Sequence, residues 1–171
     1  MGRSIFLLLV LTLFSANTAA PQIAVKPERV IDPEQVQCLA ANIYHEARGE
    51  SLKGKFAVGH VTLNRVKSTL FPDSICGVVY QAEYKENGLP KKYRCQFSWY
   101  CDGMSDTIFA GDAWKDCFEV ASTLINREIQ DITHGSTHYY NGKLANPKWA
   151  KAYSFVAQID NHTFHKMKGV L

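Results

Sequence analysis

The chain lacks a hydrophobic run of membrane-spanning length. Its N-terminal apolar stretch, Ile5 to Phe14, falls well short of the roughly 20 residues a crossing helix needs. No Cys-x-x-Cys pair is present, which removes the usual spacing of a structural zinc site. His45-Glu46 opens a zinc-protease pattern but does not complete it, because Gly49 stands where the second histidine is required. Excess charge of one sign is also scarce. Lys and Arg number 19 against 16 Asp and Glu, a net charge of +3, too mild to imply a nucleic-acid partner. Disorder is excluded too, since 46% hydrophobic and 20% charged residues over 171 positions describe one ordinary globular domain with a proper core.

What is present begins with an address. Arg3, the apolar run and the small residues Ser15-Ala16-Asn17-Thr18-Ala19-Ala20 read as an export signal over residues 1–20. Pro21 is an awkward residue after a cleavage point, so the cut is expected a residue or more from Ala20; a retained anchor is the alternative. Residues 21–35, with Pro21 and Pro27, read as a linker and residues 36–171 as the functional domain. The expected location is periplasmic or secreted, with no stable membrane span once the signal is removed.

Export makes the cysteines candidates for disulfides. There are five, Cys38, Cys76, Cys95, Cys101 and Cys117, so at least one stays out of any pairing within the chain. Cys95 with Cys101 would close a small loop, while Cys76 with Cys101 or with Cys117 is equally allowed. Cys38 reads as a buried helix residue.

The pattern organises around Asp32 to Val66. Asp32 suits a helix N-cap, Pro33 the first helical position, and Gln35 follows three residues after the cap. Val36, Leu39, Ala40, Ile43, Tyr44 and Ala47 recur at helical spacing, and Gly49 ends the run. A second helix is expected over Leu52 to Lys67, with Asn64 and Arg65 near its end pairing with Glu50 or capping backbone. Phe71 to Tyr80 reads as a loop entering a short apolar segment. The polar, basic stretch after it, with Lys85, Lys91, Lys92 and Arg94, reads as an exposed loop. Asp106 to Ile129 is expected to be the longest helix, packing Trp114, Cys117, Phe118, Ala121 and Leu124 inward. Beyond it, Asp131 and Thr133 shape a turn into a short strand on which Tyr139 and Tyr140 point to opposite faces. Asn146-Pro147 starts a helical turn, and Phe155 to Ile159 with Thr163 to Met167 form a closing hairpin whose turn carries His162.

Glu46 projects near Leu39, at the edge of the apolar stripe. Half-desolvation there would raise its pKa, as a general acid for a sugar leaving group requires. Spacing alone favours a plainer reading, a solvated glutamate at a helix end.

A family resemblance points the other way. Glu46-Ala47-Arg48-Gly49-Glu50, Gly54, Ala57-Val58 and Asn64-Arg65-Val66 resemble the opening signature of the cell wall hydrolase family typified by the spore-cortex-lytic enzyme SleB. Phe71-Pro72 with Ile75 and Val78-Val79, then Gln96-Phe97-Ser98, then Asp131-Ile132-Thr133-His134-Gly135-Ser136 follow in order. Tyr139-Tyr140-Asn141, Trp149 and His162-Thr163-Phe164 complete the series. The likeness runs from about Val36 to His165, and ordered motifs are more specific than any one of them. The basic stretch over 82–95 departs from it, being longer than the family's junction.

The resemblance implies an α+β, mainly helical, lysozyme-like single domain with a small antiparallel sheet or hairpin. It implies cleavage of the β-1,4 bond between N-acetylmuramic acid and N-acetylglucosamine in peptidoglycan glycan strands, with Glu46 as catalytic acid. No second catalytic acid is evident beside Glu46, although folding could bring Asp102 or Asp131 close. This suits a lytic transglycosylase, in which the muramoyl 6-hydroxyl replaces water and leaves a 1,6-anhydro end; a hydrolytic muramidase is the alternative. Gln96, Phe97 and Ser98 read as groove residues able to meet hydroxyls and flat sugar faces, with Phe97 equally a core residue. Glu50, Thr133, Tyr139, Tyr140, Asn141 and His162 complete the candidate substrate-binding set. No metal or cofactor is expected, and the protein is expected to be a monomer. A zinc amidase, suggested by His134 and His138, and a non-catalytic wall-binding module are the remaining alternatives.

Overall fold

The structure is a computed structural model and describes residues 32–168. The export signal read at 1–20 and most of the linker read at 21–35 lie outside those residues. Pro33 to Gln35, counted with the linker, form the first turn of helix α1 (Pro33–Ala47).

Helix α1 forms as its sequence dictates. The Asp32 carboxylate accepts from the Glu34 N–H at 2.9 Å, Pro33 needs no amide partner at that position, and Glu34 favours the positive helix end. Val36, Leu39, Ala40, Ile43, Tyr44 and Ala47 are all buried, so the stripe read from spacing is the core face. Helix α2 (Leu52–Val66) starts on Ser51, whose hydroxyl accepts from the Gly54 N–H at 3.2 Å. Helix α4 (Asp112–Asn126) crosses both. The three pack closely where Gly59 faces Leu124 and Ile43; a β-carbon at Gly59 would collide with Leu124. One polar link runs through this core: buried Asn42 donates to Thr62 Oγ1 at 3.1 Å and accepts from Trp99 Nε1 at 3.0 Å. Each polar group there has a partner, so burying it carries little penalty.

Three boundaries differ from expectation. Helix α4 begins at Asp112, after Gly111, instead of Asp106, and its 15 residues equal those of α1 and α2. Trp114, Cys117, Ala121 and Leu124 pack as expected, but Phe118 lies at the margin beside Trp114 and is exposed. The apolar segment within Phe71 to Tyr80 is a short helix, α3 (Ile75–Val79), capped by Ser74. The basic stretch expected as a loop is an antiparallel pair, β1 (Ala82–Tyr84) and β2 (Pro90–Cys95). Both of its faces are largely exposed, so no inward-outward alternation marks it as strand.

Disulfides fix the smaller elements. Cys38–Cys76 ties α1 to α3, and Cys95–Cys101 joins the end of β2 to a short 3-10 helix (Ser98–Cys101). Cys38 is therefore not just a buried helix residue, and Cys117 is the free, buried thiol.

A second sheet closes the domain. Strands β3 (His138–Asn141), β4 (Ser154–Ile159) and β5 (His162–Lys166) pair antiparallel in the order β3-β5-β4. Register sets Tyr139 opposite Phe164 and Tyr140 opposite Thr163. Tyr139 and Phe164 pack toward Ala57, Val61 and Ile159, while Tyr140 turns to the other face, where Trp149 and His165 gather. The two tyrosines thus point apart, as a pleated strand requires. His162 begins β5, one residue past the turn at Asp160 and Asn161. The fold is α+β, mainly helical, with small antiparallel sheets.

Candidate active site

Glu46 lies in the last turn of α1. The residue keeps part of its surface at solvent, while its carboxyl group sits deep among protein atoms. Tyr139 on β3 donates its hydroxyl to Glu46 Oε2 at 3.1 Å. The Tyr139 phenol titrates far above its ordinary range, chiefly through burial, and so stays a donor.

Burial dominates the acid. It raises the Glu46 pKa above the usual carboxylate value, and the Tyr139 hydrogen bond and the nearby Arg65 charge only partly oppose that rise. A carboxylic acid whose protonated form is favoured in this way is suited to give its proton to a leaving oxygen. Arg65 is the one charge acting on Glu46 among the described residues. Neither Asp102 nor Asp131, the acids that folding might have brought near, acts on it. The Asp131 carboxylate is instead consumed in its own turn, accepting from the Thr133 N–H at 2.8 Å, the Gly135 N–H at 2.7 Å and Asn64 Nδ2 at 2.9 Å. Burial pushes its pKa up, but these bonds outweigh burial and hold it below the usual value.

The place of Arg65 beside Glu46 is what the sequence does not reveal. The arginine is only 4% exposed, its Nε donates to the Thr137 carbonyl at 2.7 Å, and its guanidinium lies over the Phe97 and Phe71 rings at 4.8 and 5.5 Å. Its Nη1 has no hydrogen-bond partner among the described residues. A buried cation without a direct counter-ion is costly to keep. Of the two alternatives read from the sequence, the backbone one holds, with Arg65 on the Thr137 carbonyl and Asn64 on the Ser136 carbonyl; Glu50 is taken elsewhere, accepting from Asn161 Nδ2 at 2.9 Å and from the Asn161 N–H at 3.3 Å. Glu50 and Ser51, which bonds Asp160 Oδ2 through its hydroxyl at 2.6 Å, thus pin the β4–β5 turn to the α1–α2 elbow. A buried, singly bonded arginine is visible only in three dimensions; in sequence the signal was limited to its place in the Asn64-Arg65-Val66 motif.

The other candidate residues divide. Tyr139 alone among them hydrogen-bonds Glu46. His162 is buried, its ring edge-on to that of Tyr139 with the centroids 5.1 Å apart, and its Nδ1 has no partner among the described residues. It packs against Tyr139 instead of facing solvent. Phe97 is 3% exposed beneath Arg65, so it is a core residue that reaches the acid through Arg65. Gln96 is half-buried and Ser98 exposed at the start of the 3-10 helix. Thr133 needs correction as a substrate contact. It is fully buried, donating to Asp131 Oδ1 at 2.6 Å, so no polymer can reach it; its turn-shaping role stands. Tyr140 packs edge-on against Trp149 on the opposite face of β3 from Tyr139, which removes it from Glu46. Asn141 caps its own loop, accepting from the Lys143 N–H at 3.0 Å. His134 and His138 do not share a helix face: His134 sits in a turn at φ 48 and His138 on β3, so their four-residue spacing carries no ligand meaning.

Comparison with known proteins gives the same family from several directions. The family model described as Cell Wall Hydrolase matches residues 49–165. The spore cortex-lytic enzyme of Oceanobacillus iheyensis is 28% identical over 133 residues, 77% of this chain and 41% of the relative. That of Halalkalibacterium halodurans is 28% identical over 129 residues, 75% of this chain and 34% of the relative. The chain therefore spans less than half the length of these relatives. The crystal structure of the catalytic domain of the Bacillus cereus SleB protein is similar with a TM-score of 0.58 at 25% identity, covering 84% of this chain and 99% of that domain. The catalytic domain of the germination-specific lytic transglycosylase SleB from Bacillus anthracis gives a TM-score of 0.57 at 25% identity, over 81% of this chain and 98% of that domain. With this fold, these ordered motifs and a model match over most of its length, the chain belongs to the cell wall hydrolase family.

Proposed function

We propose that the protein cleaves the glycan strands of peptidoglycan between N-acetylmuramic acid and N-acetylglucosamine, as a lytic transglycosylase with Glu46 as its acid. The observation that carries this reading is the Glu46 carboxyl itself: held by Tyr139, its pKa raised by burial, yet on a residue that still reaches solvent. The similarity to a catalytic domain described as a lytic transglycosylase supports the choice of reaction.

Glu46 gives its proton to the glycosidic oxygen as that oxygen's bond to the muramoyl anomeric carbon breaks, and positive charge develops on the ring. The Glu46 carboxylate left behind is stabilised by the Tyr139 hydroxyl and the Arg65 charge. It then takes the proton of the muramoyl 6-hydroxyl as that oxygen bonds to the anomeric carbon. The acid is regenerated and the product is a 1,6-anhydro ring. One carboxyl group serves both steps, in keeping with the lack of any other carboxylate acting on Glu46 among the described residues.

The chain from Asp32, the N-cap of α1, onward is the proposed catalytic unit, acting outside the cytoplasm as a monomer. Mass spectrometry of digested wall tests the reaction: anhydro-ended fragments are lighter by one water than the products of hydrolysis. Hydrolysed ends alone would replace the transglycosylase with a muramidase.

A further inference from the structure

Where α2 ends, the chain from Asn64 to Phe71 meets the turn at Gly135 and the end of β5 around a concave pocket of about 300 Å³, within the range of small-ligand sites. Its lining holds two ammonium groups, Lys67 and Lys166, and no carboxylate. Neither lysine has an ion-pair partner among the described residues. Two like charges facing one cavity repel unless an anion lies between them.

Both lysines are placed by the fold. Lys67 is the C-cap of α2, where the negative end of the helix favours a cation. Lys166 extends over Gly135, whose φ is +81 and where a β-carbon would come within 3.3 Å of the lysine Nζ. Glycine there both permits the turn and leaves room for the ammonium.

The pocket is one side chain away from the acid. Its wall includes Phe71 and Thr137. Those residues also hold Arg65, by a ring 5.5 Å from the guanidinium and a carbonyl 2.7 Å from Nε. Arg65 in turn acts on Glu46. Arg65 therefore joins the pocket wall to the residue that carries the acid.

We propose that this pocket binds a carboxylate on the lactyl arm of the muramoyl sugar, either the arm's own carboxylate or one on the peptide attached to it. The enzyme then prefers strands that carry such charges over neutralised ones. This inference rests on the peptidoglycan reading of Glu46.

The test is co-sedimentation of Glu46→Gln protein, which binds without cutting, with insoluble peptidoglycan in three forms. The first is native. The second is stripped of peptides by an amidase, leaving lactyl carboxylates. The third has its carboxylates coupled to methylamine. Lys67→Gln and Lys166→Gln should each weaken binding to native material about threefold, the range of an exposed ion pair. Lys115→Gln, on the exposed face of α4, should change nothing. On methylamine-coupled material all proteins should bind equally and weakly. A lysine effect that persists on stripped strands assigns the lactyl carboxylate, and one that vanishes there assigns the peptide. Unchanged binding of both lysine variants to native strands overturns the proposal, as does an equal loss on neutralised strands. Fragment release by the unsubstituted protein is measured separately, so failure of the cleavage reading gives a different result from failure of the pocket.

Discussion

The Tyr139 hydroxyl reaches Glu46 Oε2 at 3.1 Å across 93 residues of chain, so a strand of the closing sheet completes the acid at the end of the first helix. Register secures the contact: Tyr139 stands opposite Phe164, and a slip of one residue would turn it to the other face of the sheet. Tyr139→Phe keeps the packed ring and removes only the donor. It should lower kcat about 10- to 100-fold, the rate equivalent of a hydrogen bond to a charged group, with little change in thermal stability. Steady-state kinetics beside a melting curve checks both.

Arg65 acts through Glu46 by charge. It favours the Glu46 carboxylate, so its removal should raise the pKa of the acid further. Activity requires protonated Glu46 and falls as pH rises through that pKa. The alkaline limb of kcat/KM should therefore move to higher pH in Arg65→Met and stay near its original place in Arg65→Lys. The stability cost should be no more than about 2 kcal/mol, because a buried cation disappears together with its bond to Thr137. An alkaline limb that does not move in Arg65→Met would reduce Arg65 to a packing residue.

Helix α1 was legible because Asp32, Pro33 and the apolar stripe all signal the same element over neighbouring residues; Gly49, read as its left-handed stop, has no positive φ, and the helix ends at Ala47 with Arg48 as its C-cap at φ −59. The hairpin and the opposed faces of Tyr139 and Tyr140 followed from strand periodicity in the same way. Local patterns do not contain long-range pairings. Glu50 seemed a partner for Arg65 until Asn161, 111 residues away, occupied it. Cys38–Cys76 depended on α3 docking against α1. Thr133 carries a motif residue's identity, but its burial follows from the Asp131 turn folding over it. Strands β1 and β2 escaped detection because both faces meet solvent, which leaves no alternation to read.

Acid should destabilise the fold through His138. Burial, with Arg65 and His165 adding to it, lowers its pKa to about 4, below the unfolded value of about 6.5. Between those values the unfolded chain binds the proton that the native chain refuses, so stability rises with pH across the window and is lost as pH falls through it. Because the imidazole is only half-buried, solvent screening should hold the loss to about 1–2 kcal/mol. His138→Phe should flatten that dependence, as measured by denaturant unfolding at pH 7 and pH 4.

Reduction should separate the two disulfides by loop length. Cys38–Cys76 spans 38 residues and Cys95–Cys101 spans 6, so chain entropy gives losses of about 4 and about 2 kcal/mol. Cys38→Ala/Cys76→Ala should therefore melt lower than Cys95→Ala/Cys101→Ala, as calorimetry of the two variants checks.

The central claim is that one partly buried acid breaks the glycan. Insoluble peptidoglycan digested by the wild-type protein and by Glu46→Gln, with released fragments identified by mass spectrometry, tests it most directly. The account predicts 1,6-anhydro-ended fragments from the wild type and at least a 100-fold slower release from the variant, on the order of a lost general acid. Undiminished release by Glu46→Gln would contradict it.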